Sequence, residues 1–326
     1  MEEVEIKQVT GVKYRSSIFL LLENGLQFSS SDMLIQWGAG EYKFNPSFKN
    51  KYITLDSLQN CTLYIPYATF NTVEQALVLT EFLGKMGVNI KDTLIGYVSY
   101  SRQDRETDTE PQLCHFIITL IGLLKNPVII DMHNEKSLDL FKIRKVSAAP
   151  LFYEIAKSLD KNAIIIAPDK GAANRLKQYG VPVDGYLKKT RYEYEVVTEI
   201  DEEIANNLKE KTLNVIKLGK TPNYFIIDDI CDGGRTFIEA ARVLDSIIEN
   251  DFLNGLSGEE LKQVIKTSYP KVYLMVSHAI LPFGVKDLRR RIDKIFTLPT
   301  AQVIYDDYIT ILNLNHIQNK LLKRDV

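Results

Sequence analysis

Short apolar runs alternate with amphipathic stretches along most of the 326-residue chain. Runs of four to eight apolar residues bounded by turn-forming residues predict buried strands, and the stretches between them have the spacing of helices. The predicted strands are CTLYIPYA (61–68), TLIGYVSY (93–100), NPVIIDMH (126–133), AIIIAP (163–168), NYFIIDD (223–229) and KVYLMVSH (271–278). This alternation predicts an α/β fold of mainly parallel sheets flanked by helices.

The helices between these strands divide the pattern into two similar halves. In the first half we predict a helix that begins at Asn71, as N-cap, and a second from about Gln112 to Lys125. In the second half, KGAANRLKQYG (170–180) and a stretch beginning near Thr236 have helical patterns. We therefore predict two domains, 1–148 and 149–326, in which the last helix of the chain can pack on the first domain.

Two segments depart from this alternation. Residues 186–200, YLKKTRYEYEVVTEI, are charged and rich in Tyr and other strand-forming residues, which favours a hairpin that projects from the sheet. Residues 250–270 form a long connection that is typical of an insertion with one short helix.

Composition narrows the class of protein without naming a reaction. Charged residues make up 25% of the chain and the net charge is −2, which does not favour nucleic acid as a partner. The longest apolar run is too short to span a membrane, and the acidic start, MEEVEIKQV, lacks the pattern of a signal peptide. Three cysteines without C-x-x-C spacing indicate neither a disulfide framework nor a zinc site. These features predict a cytoplasmic protein.

The stretch YFIIDDICDGGRTFIEAARVL (224–244) carries the strongest chemical signal. An apolar strand ends in Asp228 and Asp229, and Asp232, Gly233 and Gly234 precede the next helix. Free backbone N–H groups at such a turn can hold a phosphate, whereas carboxylates suit ribose hydroxyls or a Mg²⁺ ion. The alternative is an acidic strand end that caps a helix, with Asp232 as a turn residue.

This stretch resembles the ribose-phosphate-binding loop of phosphoribosyltransferase-type proteins. The resemblance implies that Asp228 and Asp229 contact the ribose. It also implies that the 5′-phosphate is bound by the loop Asp232, Gly233, Gly234, Arg235 and Thr236.

Four further segments, in family order, resemble those of ribose-phosphate pyrophosphokinases (phosphoribosyl pyrophosphate synthetases). YSRQDR (100–105) implies ATP contacts, DMHN (131–134) implies a contact of His133 with ATP phosphates or metal, and LKKTR (187–191) implies catalytic roles for Lys189 and Arg191. The implied ATP contacts of the first segment are Arg102, Gln103, Asp104 and Arg105. APDKGAANR (167–175) implies a pyrophosphate loop of Asp169, Lys170, Gly171 and Ala172, with Asp169 near Mg²⁺. Taken alone, each segment also fits a solvated loop, a surface charge run or a strand-end histidine.

The resemblance implies two phosphoribosyltransferase-like domains, the first on the ATP side, and a Mg²⁺-dependent reaction. The β,γ-pyrophosphoryl group of ATP, the co-substrate, would pass to the 1-hydroxyl of a 5-phosphorylated ribose. It also implies a homo-oligomer, dimer or higher, with small-molecule substrates and neither nucleic acid nor membrane as partner. Two alternatives remain open: a phosphoribosyltransferase, which needs only one such domain, and a regulatory homologue without activity.

A weaker match lies in WGAGEYKF (37–44). The corresponding family segment contacts adenine. The match therefore implies that Trp37 stacks on the adenine and that Glu41 is an acidic contact to it. The alternative places Trp37 in the hydrophobic core.

The chain also departs from the family pattern. The segment after Arg105 is acidic (ETDTEPQLC, 106–114), which argues against family-type control by phosphate or ADP, and the usual N-terminal motif is largely absent, which argues against the usual hexamer. Arg235 stands where the synthetases usually have glycine. A guanidinium there suits an acceptor with more than one phosphate on its 5′ side, such as ADP-ribose. This loop resembles the loops of divergent phage-type synthetases that act on ADP-ribose in rebuilding NAD⁺. If Arg235 instead faces solvent, the expected acceptor is ribose 5-phosphate.

Overall fold

The computed structural model describes residues 17–22, 26–48, 60–103, 113–133, 138, 141, 143–191, 196–199, 202–246, 270–301, 306–313, 318 and 320–322. The chain divides into two compact units. The N-terminal unit includes Lys7–Ser147, Leu298–Val303 and Leu312–Val326, and the C-terminal unit includes Ala148–Thr297 and Ile304–Ile311.

A six-stranded sheet forms the centre of the N-terminal unit, in the order β2-β1-β5-β6-β7-β8. Strand β1 is antiparallel to β2 and β5, and the neighbours from β5 to β8 are parallel. The strands are β1 (Phe19–Leu21), β2 (Gln27–Ser29), β5 (Cys61–Ala68), β6 (Ile90–Val98), β7 (Pro127–Ile130) and β8 (Arg144–Val146). A separate hairpin joins β3 (Leu34–Gln36) to β4 (Tyr42–Phe44).

The helices of the N-terminal unit are α1 (Ser30–Met33), α2 (Phe70–Lys85) and α3 (Leu113–Ile121) in the described part of the chain. The predicted N-cap of α2, Asn71, is wrong by two residues. Thr69 caps this helix, because its hydroxyl accepts the N–H of Thr72 while the Thr72 hydroxyl accepts the N–H of Thr69. Asn71 lies in the first turn, where its amide donates to the hydroxyl of Tyr42.

Residues late in the sequence complete the N-terminal unit. The hydroxyl of the buried Tyr64 donates to the carbonyl of Pro299 at 2.8 Å. The side-chain amide of Gln318 donates to the Thr62 hydroxyl at 2.9 Å. The two segments are therefore tied to β5, although they follow the second half of the sequence.

The C-terminal unit contains a parallel six-stranded sheet in the order β10-β9-β13-β14-β15-β16. Its strands are β9 (Ile164–Ala167), β10 (Gly185–Tyr186), β13 (Asn223–Cys231), β14 (Lys271–Ala279), β15 (Lys294–Thr297) and β16 (Ile309–Ile311). The central strands are apolar and fully buried over most of their length, which is typical of parallel sheets covered on both faces.

Four described helices belong to this unit: α4 (Ala149–Leu159), α5 (Lys170–Gln178), α6 (Glu202–Lys217) and α7 (Arg235–Ser246). The hairpin predicted over 186–200 is confirmed where the structure describes it, because β11 (Lys188–Arg191) pairs antiparallel with β12 (Val196–Glu199). The predicted insertion, 250–270, lies outside the described residues except for Pro270.

The α/β prediction is confirmed, since each unit has a mainly parallel sheet flanked by helices. Among the described helices, none combines the length and the apolar character that crossing a bilayer requires.

Candidate ribose-phosphate site

The acid pair of the C-terminal unit lies inside a strand and not at its end, as the sequence had suggested. Strand β13 continues to Cys231, so that Asp228 pairs with Val276 and Ile230 with His278 of β14. The side chain of Asp229 is 3% exposed and that of Asp228 is 13% exposed. The two carboxyl groups are therefore held by strand backbone in a place that water scarcely reaches.

Arg175 of α5 connects the two acids. Its Nη2 atom lies 2.5 Å from Oδ1 of Asp228 and 3.0 Å from Oδ1 of Asp229. Arg175 is the last residue of the APDKGAANR segment, and the resemblance to the family implies no individual role for it. The signal that could have identified it is the need of a buried acid pair for a nearby cation.

Burial and mutual repulsion shape the charge of this pair. Burial, with the adjacent Asp229 charge as the second cause, raises the pKa of Asp228 well above its usual range, and the Arg175 guanidinium opposes this. The N–H of Asp229 also donates to Oδ1 of Asp228 at 2.9 Å. Because ionising both acids at once is unfavourable here, a ligand that brings hydroxyl donors or a cation should bind with release of a proton.

The loop after β13 turns sharply at Gly234. Its φ angle is +80°, and a Cβ atom there would lie 2.8 Å from Cδ2 of the buried Leu288. Glycine is required on both grounds, since other residues rarely adopt this φ angle and the space is already filled. The next helix, α7, begins at Arg235, one residue before the predicted start.

Four successive backbone N–H groups of this loop are not used by the fold. Those of Gly233, Gly234, Arg235 and Thr236 donate to no acceptor within the described part of the chain. The carbonyl of Gly234 is occupied, because it accepts the N–H groups of Phe237 and Ile238. A row of free N–H groups at a helix start is a site for an anion such as phosphate.

The remaining side chains of this loop have distinct environments. Asp232 and Thr236 are half-buried, and Arg235 is exposed and forms no ion pair with any residue that the structure describes. Cys231 is buried, and burial together with the charges of Asp228 and Asp232 raises the pKa of its thiol. This thiol therefore stays protonated and does not supply a thiolate nucleophile.

A second helix start belongs to the same unit. Asp169 caps α5, since its Oδ1 accepts the N–H of Ala172 at 2.9 Å. Lys170 and Gly171 are exposed, and their N–H groups find no acceptor in the described ranges. Because Arg175 of this helix contacts the acid pair of β13, the helix that begins at the predicted pyrophosphate loop is joined to the strand that carries the predicted ribose contacts.

The carboxylates of the C-terminal unit suit a hard cation. No group of three or more His, Cys, Asp or Glu side chains that could hold a metal is found among the described residues. Mg²⁺ is usually bound by one or two carboxylates together with substrate phosphates and water, so the adjacent carboxylates of Asp228 and Asp229 have the chemistry that such an ion needs, as does the carboxylate of Asp169.

The N-terminal unit brings together a different set of predicted residues. Arg102 and Gln103 lie in the turn after β6, and His133 follows β7. These neighbouring strands are parallel, so both segments lie at the same edge of the sheet. Arg102 is exposed, and Gln103 and His133 are half-buried. Asp104 and Arg105 lie outside the described residues, as do the side chains of Lys189 and Arg191.

The alternative that placed Trp37 in the hydrophobic core is wrong. It lies at the tip of the β3–β4 hairpin with 53% of its side chain exposed, and Nζ of Lys43 lies 5.4 Å from the ring centroid. The N–H of Trp37 donates to the carbonyl of the exposed Glu41 at 2.8 Å. The two predicted adenine contacts are therefore neighbours on one exposed turn.

Comparisons with known proteins agree on one family. A scan of the chain against protein-family models finds no match. The ribose-phosphate pyrophosphokinase of Pyrococcus abyssi is 31% identical over 174 residues, which cover 52% of this chain and 58% of that protein. The corresponding protein of Pyrococcus furiosus is 28% identical over 249 residues, covering 74% and 78%. That of Thermococcus kodakarensis is 25% identical over 242 residues, covering 72% and 76%.

A solved structure shares the fold. The phosphoribosylpyrophosphate synthetase from Mycobacterium smegmatis superposes with a TM-score of 0.55 at 14% identity, covering 88% of this chain and 87% of that one. The three relatives are thus ribose-phosphate pyrophosphokinases that resemble this chain at 25–31% identity, and the solved structure supports the fold.

Proposed function

We propose that this chain is an ATP-dependent pyrophosphokinase that acts on a 5-phosphorylated ribose. The observation that carries this proposal is the row of four free N–H groups at Gly233–Thr236, directly after a strand that holds Asp228 and Asp229. The N–H groups suit the 5′-phosphate, and the carboxylates accept hydrogen bonds from the ribose hydroxyls. A sugar phosphate carries both a phosphate and neighbouring hydroxyl groups.

The proposed reaction transfers the β,γ-pyrophosphoryl group of ATP. The oxygen of the anomeric 1-hydroxyl forms a bond to the β-phosphorus, the bond from that phosphorus to the α,β-bridging oxygen breaks, and AMP leaves. The hydroxyl proton passes to solvent. Because charge develops on the phosphoryl oxygens, the reaction needs cationic groups and not a covalent nucleophile.

We assign Lys189 and Arg191 to that developing charge. They occupy alternate positions of β11 in the antiparallel hairpin. Bound Mg²⁺ would neutralise phosphate charge, with Asp169 and His133 as the proposed metal contacts.

ATP contacts are assigned to residues of the N-terminal unit by their resemblance to the family. These are Arg102, Gln103, Asp104, Arg105 and His133, with Trp37 and Glu41 for the adenine. In the C-terminal unit, the pyrophosphate is assigned to the start of α5, at Asp169, Lys170, Gly171 and Ala172. A cytoplasmic homo-oligomer, dimer or higher, belongs to the same proposal.

The proposal is tested by following ATP with purified protein and ribose 5-phosphate. Nucleotides separated by chromatography should show AMP that depends on the sugar phosphate and disappears when EDTA removes Mg²⁺. A phosphoribosyltransferase would form no AMP from ATP under these conditions, and a regulatory homologue would leave ATP unchanged. Undiminished AMP formation in EDTA would contradict the assigned need for Mg²⁺.

A second candidate acceptor is ADP-ribose, which the exposed Arg235 favours. This arginine begins α7 beside the free N–H groups and has no ion-pair partner within the described ranges. A second phosphate on the 5′ side would supply one. The pyrophosphorylated product of ADP-ribose would serve NAD biosynthesis, whereas the product of ribose 5-phosphate would serve nucleotide biosynthesis generally.

Arg235→Ala is expected to lower kcat/KM for ADP-ribose about ten- to a hundredfold, the range for losing a charge-assisted hydrogen bond. It should change kcat/KM for ribose 5-phosphate much less. Arg242→Ala is the matched control, because Arg242 lies on the same helix and pairs with Glu239 at the surface. Equal losses for both acceptors in Arg235→Ala would exclude a specific contact with the second phosphate.

A further inference from the structure

Phe283 is the most exposed of the large apolar side chains in the described part of the chain, with 87% of its surface accessible. Removing an aromatic side chain from water against an apolar partner is favourable. The exposed ring of Phe283 can therefore stack on a planar apolar group of a ligand.

The backbone holds Phe283 in this exposed place by a tight turn. After β14 ends, the N–H of Ile280 donates to the carbonyl of Cys231 at 2.8 Å, which ties the segment to the start of the phosphate loop. Leu281 then adopts a φ angle of +48° with its side chain buried, and the N–H of Gly284 donates to the Leu281 carbonyl at 3.0 Å. Pro282 and Phe283 occupy the two central positions of this turn.

The ring lies beside the loop that carries the free N–H groups. A Cβ atom built on Gly233 would lie 3.9 Å from Cε2 of Phe283. Gly233 is itself exposed and has no side chain to cover the ring. An anion bound to the loop would therefore be held close to an open aromatic surface.

We propose that Phe283 is a specificity-determining residue that stacks on the base of an acceptor carrying a nucleotide on its 5′ side. This inference rests on the proposed function, because it takes the loop at Gly233–Thr236 as the 5′-phosphate site. Ribose 5-phosphate ends at that phosphate and cannot reach the ring with an apolar group. ADP-ribose continues through a second phosphate to adenosine, whose adenine is planar and stacks well on aromatic side chains.

The test is calorimetric binding of ADP-ribose and of ribose 5-phosphate to the full chain, without ATP, so that turnover is not needed. Phe283→Ala should weaken ADP-ribose binding about tenfold and ribose 5-phosphate binding less than twofold. Phe283→Tyr should retain the wild-type affinities because it keeps the ring. Phe116→Ala is the matched control, since Phe116 is 63% exposed on α3 of the other unit and should change neither affinity.

Equal affinities of wild type and Phe283→Ala for ADP-ribose would overturn the stacking role, as would equal weakening for both ligands. Wild type that binds ribose 5-phosphate but not ADP-ribose would also overturn it and would leave the pyrophosphokinase proposal standing. The reverse case is Phe283-dependent binding of ADP-ribose without any AMP formation from ATP, which supports the stacking role and rejects the pyrophosphokinase. A change of molecular mass by light scattering in Phe283→Ala would assign the ring to a contact between copies of the chain and overturn the proposal.

Discussion

Lys189→Ala and Arg191→Ala are each expected to lower kcat by roughly two to three orders of magnitude, the range seen when a group that stabilises transition-state charge is removed. The KM for ATP should change little, because both side chains are proposed to act on charge that develops during the transfer. Steady-state rates of AMP formation over a range of ATP concentrations measure both constants. Wild-type kcat in either variant would remove the hairpin from the mechanism.

Lys188→Ala is the matched control for this experiment. Lys188 belongs to the same strand and has the same charge, and it directly precedes the first of the two assigned residues in the sequence. We expect its kcat to stay within about threefold of wild type, because a surface charge distant from the reacting groups contributes little. A large loss in Lys188→Ala as well would indicate that the whole hairpin is needed for folding and would leave no separate role for the two assigned residues.

Arg175→Ala is expected to have the largest effect on stability. It leaves the buried carboxyls of Asp228 and Asp229 without the cation that contacts both. Breaking a buried ion pair typically costs about 3–5 kcal/mol, and because Arg175 is partly exposed we expect about 2–3 kcal/mol in the free energy of unfolding. Denaturant unfolding at pH 5 and pH 8 measures this change.

The loss in Arg175→Ala should be larger at pH 8 than at pH 5. The pKa of Asp228 is already raised in the folded protein, mainly by burial, and removing Arg175 raises it further. A carboxyl whose folded pKa exceeds its unfolded pKa contributes stability at low pH that is lost as the pH rises through the folded pKa. The double variant Arg175→Ala/Asp228→Asn should recover much of the loss at pH 8, because it removes one of the two acids.

The surface variant Arg242→Ala is the control for removing an arginine. We expect it to lower the free energy of unfolding by less than about 0.5 kcal/mol, because its ion pair with Glu239 is exposed. If Arg175→Ala unfolds at the same denaturant concentration as wild type at both pH values, the contact between Arg175 and the acid pair does not stabilise the protein.

The central strands could be predicted because their buried runs are long and nearly free of polar residues. β5, β13 and β14 are found where the pattern placed them, since a fully buried parallel strand leaves an unbroken apolar run. The short edge strands β8 and β10 were not predicted. Residues 144–146, RKV, are mostly exposed and lack an apolar run, so their pairing depends on the neighbouring strand.

The sequence predicts only part of the candidate site. The succession of acids and glycines identified the loop after β13, but its strand extends three residues beyond Asp228, because ladder pairing with β14 continues past the acids. The contact of Arg175 with both acids joins residues more than fifty positions apart, and no local pattern encodes such a pairing. The exposure of Phe283 likewise follows from a turn whose geometry depends on the buried Leu281.

The most direct test of the pyrophosphokinase proposal is ³¹P NMR of a reaction of the purified protein with ATP, Mg²⁺ and a 5-phosphorylated ribose. We expect equal amounts of AMP and of a sugar product whose C1 oxygen carries a diphosphate, seen as two coupled phosphorus signals. This result requires transfer of both the β- and γ-phosphoryl groups as one unit to the anomeric oxygen. ADP with a sugar monophosphate ester, or AMP with free pyrophosphate and an unchanged sugar, would contradict the account.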